Sequence, residues 1–383
     1  MKKIVVAADS FKGSVSSLEV ADAAEVAILK NFPDCTVEKI PMADGGEGTV
    51  AALIAALGGK EIPCRVTGPM GKLVDAIYGI LADENTAVVE MASACGLTLV
   101  PEDERNPLLS STYGLGELIK DALARGCRNF LVGIGGSATN DAGTGMLQAL
   151  GFKFLDHHGQ ALPLGGQILS AIHTIDASGT LPEFLNATFT IACDVDNPCT
   201  GRRGAAHVYA RQKGADDHAI YTLEEGMKNF VQVIKQTKGI DINQIPGSGA
   251  AGGLGGGFLA FANAALKPGA QMILDTLDFQ NIIKGADLVI TGEGKLDQQT
   301  GMGKAPVTIL KAAQEQEIPV IAIGGCTEDV QLLNELGFLA ILPITPYPVS
   351  MQRAMEKEFT TANIARTLDQ LFRVLKKLKT NAA

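Results

Sequence analysis

The chain opens on a β-branched apolar run, residues 3–9, that stops at Asp9, and after a polar loop continues into residues 16–30, where apolar positions recur at helical spacing behind Ser16-x-x-Glu19. A hydroxyl and a carboxylate three residues apart can each accept the other's backbone N–H, so this stretch predicts a strand, a loop and a capped helix. A second strand over about 36–42 leads through the glycine loop 43–48 into a short apolar helix that Gly58-Gly59 ends. From 61 the period changes to two. Three short alternating segments, about 61–67, 73–81 and 86–92, are separated by GPMG and DEN, which predicts an antiparallel meander. Further strand-like runs at 129–134 and 188–193 belong with this middle region, whereas 286–293, 319–325 and 338–344 alternate with helical stretches as in a parallel sheet. The expected architecture is therefore α/β with two domains: a discontinuous one formed by 1–60 plus 285–383, and an inserted mixed α/β domain over 61–284.

Composition narrows the chemistry. With 383 residues, two cores are expected, and 46% hydrophobic against 19% charged residues is the balance of a folded globular chain. A formal charge of −10 argues against a nucleic-acid partner, because phosphate-backbone binders concentrate Lys and Arg on one face. Apolar runs are all shorter than the roughly 18–20 residues a bilayer span needs, so no membrane partner is expected. Residues 1–9 carry too short an apolar run for a signal peptide, and the seven cysteines have no CxxC spacing. A cytoplasmic location with reduced thiols is the expectation, and the oligomeric state is left open.

The 44 glycines cluster at strand ends: ADGGEG (43–48), GIGGSATNDAGTG (133–145), GSGAAGGLGGG (247–257) and TGEGKLDQQTGMGK (291–304). Glycine in such places lets backbone approach a ligand. Gly133-x-Gly135-x-x-Ala138, with Asp156 further on, fits a variant of the dinucleotide fingerprint, and a nicotinamide-dependent dehydrogenase is one reading. Against it, Thr139 to Gly145 would fill the first helical turns with poor helix formers, so a phosphate cradle fits better, with Gly135, Gly136, Ser137 and Asn140 on the anion and Asp141 on a metal bound to it. No Walker A sequence and no HRD or DFG set is present. DSFKGS (9–14) puts Asp9, Ser10 and Lys12 on the loop leaving the first strand, and ADGGEGT adds Asp44 and Glu47; both suit a small polar substrate. Asp194 ends the run at 188–193, and Glu293, Lys295 and Asp297 follow the run at 286–293.

Taken in order, DSFKGS, PMADGGEGT, GIGGSATND, ACDVDNP with QKGA (212–215), GAAGGLGGG and ITGEGKLD resemble the bacterial glycerate kinase family, type I, nearly from end to end. The resemblance implies ATP and Mg²⁺, D-glycerate as the acceptor, a phosphoglycerate product with 2-phosphoglycerate favoured, and a flavodoxin-like domain carrying the insertion. Two motifs depart from the family pattern: Ala142 stands where NDGG is usual, and Tyr209-Ala210-Arg211 where FGP is usual. Phosphoryl transfer needs alignment and charge neutralisation, so Lys12 and Lys295 are expected on the glycerate carboxylate and the transferring phosphoryl. Asp194 is the expected base with Asp297 its rival, and Asp141, Asp194 or Glu293 the expected metal ligand. A noncatalytic sugar-acid sensor is the remaining alternative, and it leaves the many strand-end carboxylates unexplained.

Overall fold

The computed structural model describes residues 1–43, 45–46, 48–298, 300–302 and 304–382. The chain begins with β1 (Lys3–Val6) and β2 (Thr36–Lys39), passes through β3 (Gly59–Thr67), β4 (Leu73–Leu81), β5 (Thr86–Glu90), β6 (Asn129–Gly133), β7 (Lys153–Leu155), β8 (Thr174–Asp176), β9 (Thr188–Ala192) and β10 (Asn263–Lys267), and returns with β11 (Leu288–Leu296), β12 (Val320–Thr327) and β13 (Ala340–Pro343). It divides into two compact units, 1–44 with 270–383, and 45–269.

The first unit is a five-stranded sheet in the order β13-β12-β11-β1-β2, parallel throughout. Renumbered without the intervening residues this is 2-1-3-4-5, the flavodoxin-like doubly wound order. Parallel strands covered by helices must be apolar on both faces, which is why β1 and β11 read as unbroken runs with Ile4, Val6, Leu288 and Ile290 buried. Helix Ser17–Asn31 starts on the expected capping box: Ser16 Oγ accepts the Glu19 N–H at 3.3 Å and Glu19 Oε2 accepts the Ser16 N–H at 2.9 Å. Its inner face shares a core with β1, β11, β12 and Ile364, Leu368 and Phe372 of helix Lys357–Ala382.

The second unit is built on a six-stranded mixed sheet, β10-β9-β6-β5-β4-β3. The meander is present: β3 and β4 pair antiparallel, as do β4 and β5, and β5, β6, β9 and β10 then run parallel. Phe130 and Phe189 are register partners on β6 and β9, stacked with ring centroids 4.7 Å apart. Their burial anchors a core that continues into helices Tyr113–Ala124 and Asp217–Lys238.

The expected boundaries at 60/61 and 284/285 differ from the observed division for a packing reason. Helix Thr49–Leu57 packs on β3, β4 and β5, so it belongs with the mixed sheet, while Phe279–Ile283 packs against helix Ala305–Gln314 in the first unit. The stretch 247–257 also differs from the expected loop. After left-handed residues at Ala251, Gly252 and Gly253 it becomes helix through Phe261, and its glycines serve close packing: a Cβ on Gly257 would lie 2.4 Å from the Ala142 carbonyl oxygen.

Candidate active site

In the first unit the crossovers leave β1 and β11 on opposite sides of the sheet, and ligands of such folds lie beyond the carboxyl ends at that switch point. There Asp9 is nearly buried, its N–H donating to the Gly292 carbonyl at 2.8 Å and its Oδ1 accepting the Ser10 N–H at 2.6 Å. Residues 11–15 close a tight turn, with the Phe11 N–H on the Val15 carbonyl, that leaves Lys12 exposed. From β11, Lys295 Nζ reaches Asp297 Oδ2 at 3.4 Å and Glu328 Oε2 at 3.0 Å, and the Glu328 carboxylate holds its ammonium above the usual lysine range. Asp9, Ser10 and Lys12 thus share one sheet edge with Glu293, Lys295 and Asp297. The substrate candidates Asp44 and Glu47 lie outside the described residues.

Glu293 does not fit the metal role expected of it. Its Oε1 accepts the Thr300 hydroxyl at 2.6 Å and its Oε2 pairs with Lys304 at 3.4 Å, while burial pushes its carboxyl up. Asp141 fits that role no better. It is fully buried in the second unit, where it accepts the Thr112 N–H (2.8 Å) and hydroxyl (2.9 Å) and the Gly143 and Gly145 N–H groups, both at 3.2 Å. Burial raises its pKa against the pull of those donors, and the side chain acts as the internal scaffold of the 141–145 turn.

The second unit has its own row of strand ends. Glu90, Gly133, Ala192 and Lys267 form one register row at the carboxyl ends of β5, β6, β9 and β10. The Gly45-Gly46 backbone crosses this row so closely that a Cβ on Gly133 would sit 2.1 Å from the Gly45 carbonyl oxygen. Glu90 Oε1 accepts the Val50 N–H at the start of helix Thr49–Leu57, at 2.8 Å. Beyond β6, Gly135 and Gly136 are exposed and Ser137 is 8% exposed, the strip being fastened by the Leu97 N–H on the Gly136 carbonyl and the Ala138 N–H on the Cys95 carbonyl. The next helix begins only at Thr144, which removes the dinucleotide geometry; Asp156 is half-buried and accepts the His158 and Gln160 N–H groups of its own turn. Asn140 is fully buried with neither side-chain polar atom hydrogen-bonded, so it is not open to a ligand as the loop stands. Asp194, two residues past the row, is exposed and accepts the Gly269 N–H at 2.9 Å.

One residue at this edge was not singled out by its chemistry in the sequence. Lys213, within QKGA, is 2% exposed, and its Nζ donates to Ser137 Oγ at 2.7 Å and to the Thr139 carbonyl at 2.6 Å. Burial pulls its pKa down to about 7, with Asp141 opposing. The signal was the motif itself; nothing local in it announces that its lysine turns inward.

A doubly wound unit with charged switch-point loops, carrying a mixed-sheet unit with a glycine strip at its strand ends, defines an α/β enzyme of small polar substrates. The Glycerate kinase family profile matches residues 4–376. Glycerate kinase of Bacillus subtilis strain 168 is 45% identical over 355 residues, covering 92% of this chain and 93% of that protein. Glycerate 2-kinase of Escherichia coli K12 is 42% identical over 372 residues, covering 96% and 98%. The crystal structure of a glycerate kinase 2 from Salmonella typhimurium LT2 superposes with a TM-score of 0.91 at 39% identity, covering 99% of both chains. The chain belongs to the glycerate kinase family.

Proposed function

We propose that the chain transfers the terminal phosphoryl group of Mg·ATP to the 2-hydroxyl of D-glycerate. The observation that carries this reading is near-complete alignment with a relative named for glycerate 2-kinase activity. Each unit, taken by itself, supplies residues of the right kinds. Gly135, Gly136 and Ser137 present a backbone strip and a hydroxyl suited to nucleotide phosphate oxygens. Ser10 and Lys12 suit a hydroxy acid, with Lys12 on the carboxylate, Asp9 ordering the Ser10 backbone and Lys295 supplying charge toward the transferring phosphoryl.

Asp297 is the base in this reading, because it shares the edge of Lys12 and Lys295; it accepts the hydroxyl proton as the acceptor oxygen attacks phosphorus. Among the described residues no three His, Cys, Asp or Glu side chains gather into a metal cage. Mg²⁺ takes one or two carboxylates and completes its shell with phosphates and water. With Asp141 and Glu293 engaged internally, Asp194 is the carboxylate for it. When bound, the ion offsets charge on the phosphates. Among the described residues no helix is long and apolar enough to cross a membrane. The test is ADP release by purified protein: it should require D-glycerate and stop with EDTA. Turnover unaffected by EDTA, or none with glycerate, contradicts the reading.

A further inference from the structure

A buried ammonium with no carboxylate in contact is costly, and chains keep one where it performs a task. Lys213 is such a group. Its hydrogen bonds go to Ser137 Oγ and the Thr139 carbonyl, and among the described residues it forms no ion pair. An ammonium only donates, so the Ser137 oxygen is an acceptor in that contact and its own proton must point elsewhere. Among the described residues the Ser137 hydroxyl donates to no acceptor, and the residues just before it, Gly135 and Gly136, are exposed.

We propose that Lys213 is a positioning residue that fixes the polarity of the Ser137 hydroxyl, turning its proton toward an oxyanion of the nucleotide. The inference rests on the reading that residues 135–137 take nucleotide phosphate. A hydroxyl that accepts from a cation is polarised and donates more strongly, so the charge reaches the phosphate through Ser137. A neutral Lys213 amine can accept instead. The Ser137 proton then turns inward, and its lone pairs face the phosphate.

The change of state falls near neutral pH because burial brings the Lys213 pKa down to about 7. Asp141 is the charge that acts on it; its carboxylate stays engaged by Thr112, Gly143 and Gly145. Of the surrounding charged groups, Arg211 pairs outward with Asp217, the Arg105 Nε–H donates to the Val100 carbonyl, Glu224 accepts the Gly201 N–H, and His207 lies on the neighbouring helix Ala205–Tyr209.

The test is a double-mutant cycle on the full chain, with AMP-PNP and Mg²⁺ affinity measured by calorimetry from pH 6 to 8.5. Ser137→Ala should weaken binding about tenfold to hundredfold, the usual worth of a hydrogen bond to a charged group. Lys213→Met should weaken it comparably in the native background but less than about twofold on Ser137→Ala, because the two act through one hydroxyl. The affinity ratio of native protein to Ser137→Ala should shrink as pH rises through 7; the ligand's own titration cancels in that ratio, and no Lys213 variant is needed for it. Equal losses from Lys213→Met in both backgrounds, or a ratio that ignores pH, would overturn the inference while leaving the kinase reading intact. If Ser137→Ala instead leaves AMP-PNP binding unchanged and raises only the D-glycerate KM, the nucleotide assignment fails; the same cycle read on that KM then decides whether Lys213 acts through Ser137.

Discussion

At the scale of single residues, the positions of the motif residues were legible and the partners of the buried ones were not. Asp9, Lys12, Lys295 and Asp297 lie at or just past the carboxyl ends of β1 and β11, where the motifs predict them. Asp141 reads the same way in GSATND, yet its carboxylate is consumed by Thr112, 29 residues earlier, and by its own turn. No local pattern shows such a partner. Lys213 leads to a stability prediction independent of catalysis. Its folded pKa is depressed from 10.5 to about 7, so between those values the unfolded chain binds more protons than the folded one. Stability should therefore rise with pH over that window and be lost as pH falls toward 7, with a slope approaching about 1.4 kcal/mol per pH unit. Urea unfolding at pH 7.5 to 9.5 should show this slope in the native protein and its reduction in Lys213→Met. For catalysis, Asp297→Asn should lower kcat on the order of 10²-fold with the ATP KM little changed. If Asp194→Asn alone produces that loss, with an unchanged Mg²⁺ requirement, the base is Asp194.

At the scale of elements, the periodicities located most strands because their cause is local: β3, β4 and β5 alternate or run apolar according to which faces they bury, whereas the short β8 and the edge strand β10 were not read from them. Allegiance of an element to a core is not local. Helix Thr49–Leu57 follows a strand and a glycine loop just as a crossover helix would, and only its packing on β4 and β5 assigns it to the mixed sheet. Glycine is ambiguous for a related reason, since it permits close approach to a ligand or to the chain itself. Gly252 is of the second kind. It has a φ of +71°, and a Cβ there would lie 2.2 Å from the Thr139 carbonyl oxygen and 2.6 Å from the Asn140 Cα. Gly252→Ala should destabilise the second unit by about 3 kcal/mol from overpacking and left-handed strain, and should weaken nucleotide binding by displacing residues 139–140. Urea unfolding and AMP-PNP titration check both effects; normal values for both would show that the 249–253 turn does not support the loop.

At the scale of the whole molecule, the flavodoxin-like order 2-1-3-4-5 and the intervening mixed-sheet unit agree with the architecture expected from the motifs, and family membership rests on alignment over nearly the full length. Which glycerate hydroxyl is phosphorylated lay beyond both periodicity and motif, because the choice is a rotation of a three-carbon acid over the same side chains. The direct measurement is ³¹P NMR of the product from ATP, Mg²⁺ and D-glycerate, with authentic 2- and 3-phosphoglycerate added as standards. A stoichiometric resonance coincident with 2-phosphoglycerate is the predicted result. Growth of the 3-phosphoglycerate resonance, or of inorganic phosphate alone, would contradict it.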